Sequence, residues 1–136
     1  MEKIQFDAGL RSYRINGSGI LRFNPSDPNL YSRFLEAVPK LQAAEAELSE
    51  QAETAQAEEI LQLMTCADEN MKNILNWVFG EGNDFHKLLS GINLLAVAEN
   101  GERVVTNLFA ALEPVLVAGA KRCAGEQAAK IRENRA

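Results

Sequence analysis

The chain has 136 residues, 46% apolar and 24% charged, an ordinary profile for one globular domain; halving it would leave each part too small to bury a good core. Its net charge of −5 gives the bulk of the molecule no pull on nucleic acid or on an anionic membrane. No apolar run approaches the roughly 20 residues needed to span a bilayer. The opening Met1, Glu2, Lys3 and Ile4 lack the basic-then-apolar layout of a signal peptide, so the expectation is a cytosolic protein.

In chain order, residues 4–23 read as a β-hairpin. Residues 10–15 and 20–23 both alternate apolar and polar side chains, and between them stand Asn16, Gly17, Ser18 and Gly19. Asn followed by Gly is the strongest short hairpin signal, because both tolerate positive φ. Leu10, Ser12 and Arg14 fall on one face of the first arm, with Arg11, Tyr13 and Ile15 on the other. On the second arm Ile20 and Arg22 oppose Leu21 and Phe23. An isolated hairpin is marginal in water, so this one has to pack on a helix or pair with another chain.

Asn24, Pro25, Ser26, Asp27 and Pro28 stop the strand and launch a helix, with Asp27 as N-cap and Pro28 at the first helical position. Leu30, Phe34, Leu35, Val38 and Leu41 recur at three- and four-residue spacing. The helical pattern runs over 28–79, with a kink or break expected near Val38 because of Pro39. From residue 40 to 59 it turns into Ala, Glu and Gln, with seven Glu against one Lys between Glu36 and Glu59. This is the long acidic helix of the expected fold. Leu41, Leu48 and Ala55 repeat every seven residues, a thin seam for a coiled coil. Two readings stand: a solvated helix leaning on the core by small residues, or a self-association arm through Leu41 and Leu48 that would make a homo-oligomer.

Ile60, Leu61, Leu63, Met64, Ala67, Met71, Ile74, Leu75 and Val78 form a broad apolar stripe expected to be core. Gly80, Glu81, Gly82 and Asn83 end that helix, and Asn83 or Asp84 caps a short one reaching Leu89. After a joint at Gly91, Ile92 and Asn93, a last long helix is expected from about Leu94 towards Cys123, bent at Pro114 and weakened at Gly101. The C-terminal helices thus cover 84–124. Residues 125–136 are expected as a fraying basic tail; from Lys121 onwards there are five basic and two acidic residues. The fold class expected is mainly α, with a small N-terminal hairpin and a body of three to four helices in one domain over 1–136.

The residues offer little chemistry. The one histidine, His86, lies between Phe85 and Leu88 with no nucleophile or metal-ligating partner at a useful spacing. The carboxylates crowd a solvated helix face. Gly17, Ser18 and Gly19 make a turn and not a phosphate loop, and Asp68, Glu69 and Asn70 lack calcium-loop spacing. Cys66 and Cys123 are expected as free, small apolar residues. No catalytic residue, metal site or cofactor is expected. What remains is surface for other proteins. Trp77, Phe79 and Phe85 cluster around the Gly80 to Gly82 joint, and with Leu88 and Leu89 they are the candidate partner-binding residues. Ordinary core is the competing account of the same aromatics.

The order of features resembles a known family. The hairpin ends in Leu21, Arg22, Phe23, Asn24, Pro25, Ser26 and Asp27. A stretch rich in Glu and Gln follows, then Trp77, Val78, Phe79, Gly80, Glu81 and Gly82. Leu88, Leu89, Ser90, Gly91, Ile92 and Asn93 come next, and an amphipathic helix ends in basic residues. This is similar to the small tail-assembly chaperones or tail components of phages and prophages of Gram-positive bacteria. The resemblance implies a non-enzymatic cytoplasmic protein of the bacterial host cell. It would bind the long, apolar tape-measure protein, help recruit tail-tube subunits, and be absent from the finished virion. A structural subunit of a tail or head–tail joint is the alternative, and a host regulatory helix-pairing protein the third.

Overall fold

The structure is a computed structural model that describes residues 1–17 and 19–135; Ser18 of the expected turn and Ala136 of the expected tail lie outside the described residues. It is mainly helical with an N-terminal antiparallel hairpin, as the periodicities indicate. The hairpin pairs β1 (Arg11–Ile15) with β2 (Gly19–Phe23), in a register that sets Tyr13 opposite Leu21 and Arg11 opposite Phe23. Asn16 and Gly17 both sit at positive φ, 49° and 76°. The hairpin is shorter than 4–23, because residues 1–10 are exposed and unpaired by any strand. Leu21 and Phe23 are buried while Ile20 and Arg22 face solvent, so the alternation decides which face meets the body.

α1 (Pro28–Ala52) starts as expected: Asp27 accepts a 2.9 Å hydrogen bond from the Asn29 N–H and Pro28 opens the first turn. Pro39 does not break it. Pro39 and Leu35, whose carbonyl loses its helical partner, both lie on the exposed side of the helix. The break in the expected 28–79 helix falls instead at residues 53–56, before α2 (Ala57–Phe79). A continuous helix of that length would reach about 78 Å and leave both apolar stripes in water. Folding back packs α2 antiparallel on α1 and buries Leu41, Leu48, Met71, Leu75 and Val78. The expected long acidic helix is therefore two helices meeting in an acidic tip.

α3 (Phe85–Leu88) is capped by Asp84, whose side chain accepts from the His86 N–H at 3.0 Å. The final helix α4 (Val104–Arg135) begins ten residues later than expected. Between the two, side chains compete with helical hydrogen bonding: Asn93 accepts from the Leu95 N–H and Asn100 from the Glu102 N–H. Gly101 takes a φ of +84°, and Val97 bridges Arg103. This lets Leu94 and Leu95, neighbours in sequence, both be buried, at 0% and 2% exposure. Pro114 and the upstream Ala110 are exposed, so α4 passes Pro114 as α1 passes Pro39. The expected fraying tail is helical through Arg135.

α4 contains an 18-residue window of mean hydropathy 1.4, long and apolar enough by composition to cross a bilayer, although no single uninterrupted apolar run does so. In the fold its apolar stripe of Leu108, Leu112 and Leu116 packs into the body. Gly119 lies so close to the Pro25 carbonyl that a Cβ would collide with it, so only glycine admits this approach of α4 to the loop before α1.

Candidate functional site

Four aromatic rings join the hairpin to the helices. Tyr13 stacks on Phe23 with centroids 4.8 Å apart, Phe23 meets Phe79 edge-on at 5.1 Å, and Phe79 lies 5.4 Å from Phe85. Such pairs add roughly 0.5–1.5 kcal/mol each beyond the area they bury. Of the five candidate partner residues, Phe79, Phe85, Leu88 and Leu89 are buried in this core; only Trp77 is open, at 47% exposure. Ordinary core, the competing account of these aromatics, is how the fold places Phe79 and Phe85, whose rings fasten the hairpin. Trp77 faces outward, with the Lys40 Nζ 5.4 Å from its ring centroid. Leu41 and Leu48 are likewise 1% and 6% exposed within the chain's own α1–α2 packing, so neither is free to pair with a second copy. The stripe beginning at Ile60 is core only in part: Leu61 is 65% exposed, since neither α4 nor the hairpin covers the tip. Cys66 and Cys123 are both free, as expected, but Cys66 is exposed and Cys123 half-buried.

The polar groups around the joint hold backbone. The Asn83 carboxamide accepts from the Arg22 N–H at 2.9 Å and donates to the Arg22 carbonyl at 2.7 Å and the Phe79 carbonyl at 2.9 Å. It thereby covers the outer edge of β2 as another strand would, which blunts the edge against foreign pairing. Asn76 accepts from the Phe85 N–H, and Arg33 donates its Nε–H to the Val78 carbonyl at the end of α2. Deeper in, the Lys72 ammonium is 2% exposed and lies 2.9 Å from the Asp68 carboxylate; it also donates to the Ile92 carbonyl at 2.8 Å. The other Asp68 oxygen accepts from the Leu94 N–H at 2.7 Å. This buried pair staples the 92–95 segment to α2. Sequence reasoning missed it, although opposite charges four residues apart on the flank of an apolar stripe were a usable signal. For Asn83 no local signal existed, because its partner lies 61 residues away.

Beside this centre lies an open, largely apolar groove of about 590 Å³. The turn end of the hairpin contributes Ile15. Leu88 and Leu89 line its base, and Val104, Leu108 and Leu112 contribute from α4. Leu88 and Leu89, both buried, reach it from the core side. Ile92, half exposed, and Ala111 stand where they meet solvent. A groove of this shape suits the apolar face of an amphipathic segment. Among the described residues no three His, Cys, Asp or Glu side chains come together as a metal-ligating set. No family model matches the chain, and no characterised protein or solved structure matches it significantly.

Proposed function

We propose that this protein is a non-enzymatic assembly chaperone of a phage or prophage tail, one that shelters an apolar helix of a tape-measure protein until the tail tube is built. The observation that carries the reading is the apolar groove between the hairpin turn, α3 and the first turns of α4. Its lining is largely apolar, as one face of an amphipathic helix requires, and Arg14 is the one charged side chain on it. The ordered run of motifs from Leu21 to Asn93 supports the same assignment by resemblance. The polar side chains nearby, Asn83, Asp68 and Lys72, are taken up in holding the fold, consistent with a site that grips and does not react.

Co-expression with a fragment of a tape-measure protein tests the idea. The fragment should be retained by the wild type. Ile92→Glu and Ala111→Glu place a charge on the solvent side of the groove, and each should weaken retention at least about tenfold, equivalent to 1.4 kcal/mol. Both variants should keep the wild-type melting temperature, since both positions are exposed. A wild-type protein that does not hold the fragment, or groove variants that hold it undiminished, would overturn the proposal.

A further inference from the structure

Four contacts order α4 antiparallel to α1. Arg103, just before α4, lies 3.1 Å from Glu45; Phe109 meets Phe34 at 5.9 Å; Gly119 abuts Pro25; and Arg122 donates to the Ser26 hydroxyl. Past Arg122 there is no more α1 to pack on. The helix nevertheless continues to Arg135, about 20 Å further at 1.5 Å per residue. From residue 124 to 134 every side chain is exposed except a half-buried Ala128. Short helical segments gain most of their stability from packing, so a face this bare has surface to offer a partner. Ala124, Ala128 and Ile131 make a narrow apolar stripe along it, with Ile131 52% exposed, and Lys130 and Arg132 stand beside that stripe.

The α1–α2 tip lies at the other end of the molecule. Residues 41–71 contain eight acidic side chains and no basic one. Glu45 is engaged by Arg103 and Asp68 by Lys72. Glu47, Glu50, Glu53, Glu58, Glu59 and Glu69 remain exposed, and Leu61 stands among them at 65% exposure.

We infer that the basic end of α4 in one copy docks on the acidic α1–α2 tip of the next, so that the protein assembles head to tail. Charge complementarity selects the occupant, and the exposed Ile131 and Leu61 supply apolar contact. Because the two surfaces differ and sit at opposite ends, the contact is heterologous: copies add into a ring or an open filament and not into a closed pair. Tip-to-tip and tail-to-tail encounters juxtapose like charges, which fixes the polarity of assembly. The inference rests on the charge map and not on the groove, so it survives or fails independently of tape-measure binding.

Sedimentation velocity of the full chain reads it directly. At about 50 mM salt the wild type should form concentration-dependent oligomers, and raising the salt to about 500 mM should weaken them tenfold or more. Lys130→Glu with Arg132→Glu should be monomeric. So should Glu47→Lys with Glu50→Lys, a change that places cations near the C-terminus of α1, where they favour the helix. Mixing the two variants should form a 1:1 pair, because the unchanged basic end of the one fits the unchanged acidic tip of the other. A wild type that stays monomeric at low salt, reversed variants that assemble as the wild type does, or a mixture that fails to pair would overturn the inference. Wild type that ignores its own copies but binds phosphatidylglycerol vesicles through the same lysine and arginine would overturn it too, assigning the α4 end to a membrane surface.

Discussion

At one end of the molecule Asn24, Asn76, Asn83 and Asp84 spend their side chains on backbone groups of the hairpin, the joint and α3, and four aromatic rings fill the space between. At the other end the α1–α2 tip is built from Ala, Glu and Gln, with Leu48 its last buried leucine and Leu61 left in water. The first region is irregular in backbone yet tightly specified, because side chains hold its turns locally at Asn24 and Asp84 and across 61 residues at Asn83. The second is regular in backbone yet held by little beyond helix propensity and a thinning apolar seam. Regularity and rigidity are therefore different properties here, and the side chain to backbone bonds carry the second.

The contrast can be broken most severely at Phe85, which is fully buried against Phe79. Phe85→Ala should cost roughly 3–5 kcal/mol in chemical denaturation, as for other buried phenylalanines; a loss below about 1 kcal/mol would mean the aromatic chain does not anchor the hairpin. Asp68→Ala should come next, at about 3 kcal/mol, since it leaves the buried Lys72 ammonium without its counter-charge. The double change Asp68→Ala with Lys72→Met should recover much of that loss, and its failure to do so would argue against the pair as the cause. Asn83→Ala should cost about 2 kcal/mol by stripping two hydrogen bonds from the β2 edge and one from the Phe79 carbonyl at the end of α2. The amide of Arg22 should then exchange with deuterium faster than in the wild type.

Smaller effects sharpen the comparison from the other side. Gly17→Val forces a β-branched residue to a φ of 76°, where no neighbour lies within 4 Å, so the cost is backbone strain alone. A loss of about 1 kcal/mol or somewhat more is expected, and an unchanged melting temperature would count against the turn. At the tip, Leu61→Ala should move stability by less than about 0.5 kcal/mol, as substitutions at exposed positions do. A larger drop in dilute, monomeric protein would show that the tip is packed more closely than its exposure indicates.

Much was legible in the residues themselves. The Asn16 and Gly17 turn, the cap at Asp27, the Gly80 stop and the Asp84 cap are local chemistry. Each depends on neighbours within a few positions, so a reading of sequence finds it. The mainly helical class with a hairpin follows from periods of 3.6 and 2, which local geometry also sets. The tertiary structure alone decided where those helices turn. Pro39 and Pro114 are tolerated on the exposed sides of their helices, whereas a stretch of high helix propensity gives way at residues 53–56 because two apolar stripes need each other. It also decided that Phe79, Phe85, Leu41 and Leu48 are core and that Leu61 is not. A helical stripe records only which side chains share a face. Whether that face is covered depends on how far the partner helix extends, and α4 runs past α1 at one end while leaving the α1–α2 tip bare at the other.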